Sequence, residues 1–228
     1  VVQIVPEFDE GGVERHVLWL ASELAALGHE VLVVTEGGKL EADLPLSVKV
    51  RHLPVARKNP FSGLRCALQL SRWIRREGWQ LLHAHSRVPA WIAWWASALS
   101  GCPWVATAHA LYSLNAGIAP LRRADGALCV SEAVRHHLKG RLPERVSVVP
   151  NGLPPASRLW EGRGFPENTR FLFVGRLTRL KGLAVVLEAL SGLRDRHWRL
   201  DVVGDGPQRA EFEALARRHR RQQDLFLA

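Results

Sequence analysis

The chain has 228 residues, 47% of them hydrophobic, enough to bury a substantial core in one large or two modest domains. A net charge of +9 asks for an anionic partner, but nucleic acid, a membrane surface and a sugar nucleotide all satisfy that sign. Cys66, Cys102 and Cys129 are odd in number and lack C-x-x-C spacing, which argues against a secreted disulfide scaffold and fits a reducing cytoplasm. The longest nearly uncharged apolar stretch, VPAWIAWWASAL at 88–99, falls short of the about twenty residues that span a bilayer. The sequence carries no signal peptide, repeat or low-complexity tract. It opens inside an apolar run without an initiator methionine, so a few residues are expected in front.

Val1 to Val5 reads as a first strand, and Gly11 and Gly12 precede a helical pattern through Val13, Val17, Leu20, Leu24 and Leu27 that stops near Gly28. Glycines at a helix start let a ligand approach the backbone where a β-carbon would otherwise stand; the alternative is a tight turn with packing glycines only. No G-x-G-x-x-G is present, so this is not a dinucleotide fingerprint. Strands follow at 30–35, EVLVVT, and at 48–53. Residues 51–76 then hold seven Lys or Arg and no Asp or Glu. A helix over 61–76 would line Arg65, Gln69, Arg72 and Arg76 on one face and turn Phe61, Leu64, Leu68 and Ile74 towards the other. Such a basic amphipathic helix either rests on an anionic membrane or presents a solvated face.

The fourth strand, QLLHAH, places His83 and His85 on one side by the two-residue period. Two histidines could begin a metal site, but no carboxylate or cysteine accompanies them at ligand spacing, so the expectation is no metal and a polar strand end facing a cleft. Trp91, Trp94, Trp95 and Ala98 share one face of the next helix, expected as core packing, with membrane-interface anchoring as the alternative. The fifth strand, WVATAH, ends at His109, and open parallel sheets present ligand groups at such C-terminal ends. A neutral imidazole there can orient a hydroxyl without acting as nucleophile, or it is a satisfied structural histidine. After the strand ALCV, Ser131 is a predicted N-cap, since no G-x-S-x-G elbow surrounds it. VSVVPNGLPP at 146–155 closes a first domain, 1–155, and residues 156–168 read as a linker.

In a second domain, 169–228, FLFV at 171–174 reads as a buried parallel strand, and from about Lys181 apolar residues recur at helical spacing through Val185, Leu187 and Leu190. Gly175 allows a sharp turn. Arg176 and Lys181 fall in the loop and at the helix start, beside unpaired N–H groups and the positive dipole end, a place suited to a diphosphate. A guanidinium grips two phosphate oxygens, and a lysine adds a flexible point charge. RLDVVGDGPQRAEFEALARR repeats strand, glycine turn and helix, with Gly204 and Gly206 giving room beside the helix start, and LFLA reads as a third strand cut short.

The string VGRL-x-x-x-KG resembles the phosphate-binding signature of the group 1 (family 4) retaining glycosyltransferases. GGVERH, LLHAHSR, VATAHA, VSEAV, VVPNGL and VVGDGPQRAEFEALA agree with the same family in the expected order, so the resemblance covers essentially the whole chain. It implies an α/β chain of GT-B type, two Rossmann-like domains with parallel sheets facing a cleft, the second incomplete. It further implies transfer of a sugar, with retention, from a UDP- or GDP-type nucleotide-sugar donor to a glycan or lipid-linked acceptor. Cell-surface polysaccharide, lipopolysaccharide or glycolipid would be the product. The matching positions make His109, Arg176 and Lys181 the catalytic residues; Gly11, Gly12, Gly175, Gly204 and Gly206, with the two cations, would bind the donor. No cofactor or metal is implied, and the expected location is cytoplasmic, peripheral at an anionic membrane surface. Nucleic acid is not an expected partner, because no aromatic platform, helix-turn-helix or RNP-like string accompanies the charge. Nothing in 169–228 matches the family's E-x7-E stretch, and so short a domain exposes a sheet edge and one apolar face. The chain is therefore expected to be a fragment or a truncated relative with little or no turnover alone. The rival readings are a nucleotide-sugar epimerase of the same architecture and a non-catalytic nucleotide- or membrane-binding module.

Overall fold

A computed structural model describes residues 1–153, 169–193, 198–218 and 224–227, and divides the chain into two compact units, Val1–Pro155 and Ala156–Ala228. The segment 156–168, read from sequence as a linker, lies outside the described residues.

Unit 1 is built on seven parallel strands: β1 (Val2–Ile4), β2 (Leu32–Thr35), β3 (Lys49–His52), β4 (Leu82–His85), β5 (Trp104–Ala108), β6 (Gly126–Cys129) and β7 (Val146–Val148). Their order is β3-β2-β1-β4-β5-β6-β7, so the winding reverses between β1 and β4. Ligands of open α/β sheets bind beyond the strand C-termini at such a reversal. The inner strands are apolar because helices cover both faces. Val31 and Val33 point to one core with Phe8, Val17 and Ala21, while Leu32 and Val34 point to the other with Val2, Ile4 and Leu70. Helix α1 (Gly12–Ala26) covers the first face; α2 (Pro60–Glu77) and α3 (Arg87–Ser100) pack on each other over the second. A short α4 (Glu132–His137) starts at Ser131, whose hydroxyl accepts from the Val134 N–H at 3.2 Å, the predicted cap.

Two helix faces differ from expectation. In α2 the buried residues are Gly63, Cys66, Ala67, Leu70, Ser71 and Ile74, whereas Phe61, Leu64 and Leu68 lie exposed on the same face as Arg65, Gln69, Arg72 and Arg76. In α3 the buried residues are Pro89, Ala90, Ile92, Ala93 and Ala96; Trp91, Trp94 and Trp95 are half-buried, Trp94 and Trp95 still packing against the core as expected, and Ala98 is exposed. The cause is close helix packing: a Cβ added to Gly63 would already stand 3.0 Å from Trp95 Cζ3, so small residues fill the shared faces and tryptophans are displaced to their margin.

Unit 2 has three parallel strands, β8 (Thr169–Val174), β9 (Trp198–Val203) and β10 (Asp224–Leu227), in the order β10-β9-β8, with α5 (Leu183–Ser191) and α6 (Arg209–Arg218). Leu177, Leu183, Leu187, Leu190, Leu200, Val202 and Phe212 form its core. The expected burial of 171–174 does not hold. As the edge strand, β8 leaves Leu172 and Val174 68% and 70% exposed, while Phe173 packs against the core. Val185 likewise faces outward from α5.

Candidate functional site

The β1–α1 turn brings an open stretch of backbone to the C-terminal side of the sheet. Gly11 is the extended residue before α1, and a Cβ there would collide with the Glu14 carboxylate. A Cβ on Gly12, the first helical residue, would meet nothing within 4 Å. Space for a ligand therefore lies beside Gly12, next to N–H groups without intrahelical partners.

Four histidines from three stretches of chain converge at the sheet reversal. His83 and His85 from β4 stack with ring centroids 4.1 Å apart; His85 lies 5.3 Å from His109, after β5, and 5.7 Å from His16 of α1. The expectation that His83 and His85 form a polar strand end facing a cleft is corrected: both are buried, and His83 Nε2 and both ring nitrogens of His85 meet partners on β1, on β5 and just after it. His83 Nε2 pairs with Thr107 Oγ1 at 2.7 Å. His85 Nε2 lies 2.7 Å from Gln3 Oε1, and His85 Nδ1 lies 3.0 Å from His109 Nε2. Because the Gln3 carbonyl only accepts, His85 carries its proton on Nε2, so its Nδ1 accepts from His109 Nε2–H. His109 Nδ1 is left as an acceptor; it, His16 Nε2 and Gln3 Nε2 are buried with no partner among the described residues. The backbone N–H of His109 donates to the Tyr112 hydroxyl at 3.2 Å, holding the strand end.

Burial keeps these imidazoles neutral. It pushes His83 down to about 3, aided by the neighbouring His16 and His109, and His109 down to about 4, aided by His16. His85 falls well below its ordinary value for the same reason, with His83, His109 and His16 adding to it, and burial also lowers His16. Neutral nitrogens are the form that binds metal, and His16, His85 and His109 each offer one atom within 4.8 Å of the others. The sequence argument against a metal asked for a third ligand near His83 and His85 along the chain. The structure supplies ligand-capable neighbours from α1 and from the end of β5 instead.

In unit 2, Arg176 and Lys181 both lie exposed between β8 and α5, and neither makes an ion pair among the described residues. Lys181 ends a single 3-10 turn, Arg179–Lys181, and Gly182 at φ 77° then opens α5. Arg179, by contrast, is tied to Glu211 at 3.1 Å. Gly175 has ordinary space around it. Gly204 and Gly206 differ from expectation: the room beside them is already filled. A Cβ on Gly204 would strike the Gly175 carbonyl, and one on Gly206 the Leu177 backbone. These glycines let two turns lie against each other.

Sequence reasoning used His16 only within GGVERH and passed over Gln3. A lone amide inside an apolar strand was the signal that could have found it.

Residues 10–157 match the family model of Glycosyltransferase Family 4, and residues 168–226 match that of Glycosyl transferases group 1. This chain belongs to glycosyltransferase family 4. Among family relatives, the phosphatidylinositol N-acetylglucosaminyltransferase GPI3 subunit of Saccharomyces cerevisiae is 26% identical over 249 residues, an alignment taking in 95% of this chain. The chain spans 55% of that relative's length. A glycosyltransferase from Rickettsia africae superposes with a TM-score of 0.77 at 23% identity, covering 99% of this chain and 67% of that one. HepE of Anabaena, solved in complex with UDP and glucose, superposes with a TM-score of 0.76 at 16% identity, covering 99% and 68%. The fold is the GT-B type, with parallel sheets in both units.

Proposed function

We propose that the enzyme to which this chain belongs moves a sugar from a UDP- or GDP-type donor to an acceptor hydroxyl with retention, in the synthesis of cell-surface glycolipid, lipopolysaccharide or polysaccharide. The observation that carries this reading is the β8–α5 turn, where Arg176 and Lys181 stand exposed and without carboxylate partners among the described residues, at the approach to a helix. The complex of HepE with UDP and glucose and the phosphatidylinositol substrate in the yeast relative's name support a sugar nucleotide and a lipid-linked acceptor.

In this reading the acceptor oxygen forms its bond to the anomeric carbon on the face from which the diphosphate departs. The electron pair of the breaking bond leaves with the diphosphate, and a donor phosphate oxygen takes the acceptor proton. Arg176 and Lys181 neutralise the leaving group, Gly12 admits the donor and His109 orients the sugar. Preorganised charge does the work that a divalent metal would otherwise do, and no covalent enzyme intermediate forms. The exposed face of α2, where Phe61, Leu64 and Leu68 stand among arginines, supports attachment to an anionic membrane on its cytoplasmic side. We further propose little or no turnover by residues 1–228 alone, which span 55% of the yeast relative's length.

A calorimetric screen of UDP- and GDP-sugars, comparing wild type with Lys181→Ala, tests the donor site. A hydrogen bond to a charged group contributes about 1.5–3 kcal/mol, so the variant should bind about tenfold to a hundredfold more weakly. Equal affinity would remove Lys181 from the reading. Sugar release by a C-terminally extended enzyme, with the product anomer read by NMR, tests retention; equal turnover by the 228-residue chain would overturn its proposed inactivity. Vesicle flotation tests the membrane face.

A further inference from the structure

Unit 1 contains a cavity of about 710 Å³ whose walls come from the segments after β1, β3, β4 and β5 and from α2 and α3. It is chemically two-sided. Trp91, Ile92 and Trp95 supply an aromatic and aliphatic wall, and Trp91 is held in place by its indole N–H, which donates to the Gly117 carbonyl at 3.2 Å. Arg57, Lys58 and Arg87 supply positive charge, and none of the three makes an ion pair among the described residues. Arg87 instead lies over the Tyr112 ring, 5.8 Å from its centroid. The one carboxylate on the lining is Glu7, so the cavity keeps an excess of positive charge.

The surrounding backbone agrees with that sign. Ser86 sits at φ 100°, the one non-glycine residue with positive φ among those described, and it begins α3 without a side-chain cap. The first N–H groups of this 14-residue helix are thereby left to other acceptors. A second cavity of about 370 Å³ shares Arg57 and Asn59 with the first and continues along Phe61, Arg65 and Gln69 of α2. It leads towards the face where Phe61, Leu64 and Leu68 are exposed among arginines.

We propose that the larger cavity takes a phosphate-bearing lipid, its phosphate against Arg57, Lys58 and Arg87, its apolar portion along Trp91 and Trp95. An inorganic anion would leave the aromatic wall unused, and a neutral glycoside would leave three cations unanswered. The continuing groove gives an alkyl chain a route to the α2 face. Naming this occupant the acceptor rests on the proposed transferase function; binding itself does not.

Calorimetry on the 228-residue chain with octyl phosphate, octyl glucoside and inorganic phosphate, all as monomers, separates the possibilities. Octyl phosphate should bind at least about tenfold more tightly than either control, the scale of one charge-assisted contact. Arg87→Gln should remove about tenfold of that affinity, and Trp91→Ala should erase the advantage over inorganic phosphate. Arg57→Gln, at an exposed loop position, keeps the test available if a helix variant does not fold. Equal binding of octyl glucoside, binding of inorganic phosphate alone, or wild-type affinity in the folded variants would overturn the proposal. UDP titrated into the C-terminally extended enzyme reads the donor site separately. Octyl phosphate binding with no UDP binding by the C-terminally extended enzyme would sink the transferase reading and leave this one standing, and the converse would do the reverse.

Discussion

Acidification should unfold unit 1 well before its carboxylates titrate. His83 and His109 are held neutral down to about 3 and about 4, and His85 lower than its ordinary range as well. In the unfolded chain each takes a proton near pH 6.5. The unfolded state therefore binds more protons below 6.5, so the stability these groups confer is present above that pH and is lost as pH falls towards 4. Between pH 7 and 5 each such histidine costs about 2 kcal/mol, so His83, His85 and His109 together remove about 4–6 kcal/mol, depending on their mutual coupling. That is a large share of the about 5–15 kcal/mol that holds a domain together. With a urea slope near 2 kcal/mol/M, the midpoint should fall by about 2–3 M. Tryptophan fluorescence, to which the fully buried Trp104 of unit 1 contributes, follows the transition during urea titrations at pH 7, 6 and 5. His83→Gln, which keeps a partner for Thr107, should shrink the pH-dependent fall by about a third whatever it does to the midpoint at pH 7. A midpoint that does not move between pH 7 and 5 would refute the argument that these rings are buried and neutral.

The two glycine turns should respond oppositely to a methyl group. Gly206→Ala drives a Cβ into the Leu177 backbone and should destabilise unit 2 by about 1–3 kcal/mol in a thermal melt. Gly12→Ala meets open space and should leave stability within about 1 kcal/mol of wild type while weakening donor binding. Burial pushes the thiols of Cys66, Cys102 and Cys129 up, so all three should react with a disulfide reagent only as fast as unit 1 opens, and all at once after denaturation. Gln3→Met removes the acceptor that fixes the His85 tautomer. The imidazole ¹⁵N shifts of His109 should then move from a pure Nε2–H pattern towards a mixture, and an unchanged pattern would show that Gln3 does not set it.

Strand positions, the α1 stop near Gly28 and the Ser131 cap were legible because each depends on neighbours a few residues away. Helix orientation was not. Both α2 and α3 carry apolar residues on more than one face, and a helical wheel ranks them by size, turning Phe61, Leu64 and the tryptophans inward. Packing ranks them by fit. Two helices pressed together over a sheet leave room for Cys66, Ala67, Ala90, Ala93 and Ala96, and the bulky residues move to the margin. The histidine cluster was hidden for a different reason. Gln3 and His85 are 82 residues apart, and only the β1–β4 neighbour relation at the sheet reversal makes them partners.

Gly204 and Gly206 join these two lessons. A glycine turn before a helix invites a ligand-binding reading, and for Gly12 the open space agrees with it. At Gly204 and Gly206 the vacant Cβ positions are taken by the carbonyl of Gly175 and the backbone of Leu177. This close approach lets the Gly175 N–H donate to Val203 at 3.0 Å and the Leu177 N–H donate to Asp205 at 2.8 Å. Arg176 is the residue between those two bonds. With its neighbours fixed on both sides and Leu177 buried beneath, its side chain is carried outward from a rigid backbone. In the proposed donor reading, the glycines would act on a phosphate through the posture of Arg176 and need not touch it. A methyl group at Gly206 should accordingly loosen nucleotide binding and unit stability together, whereas one at Gly12 should separate the two.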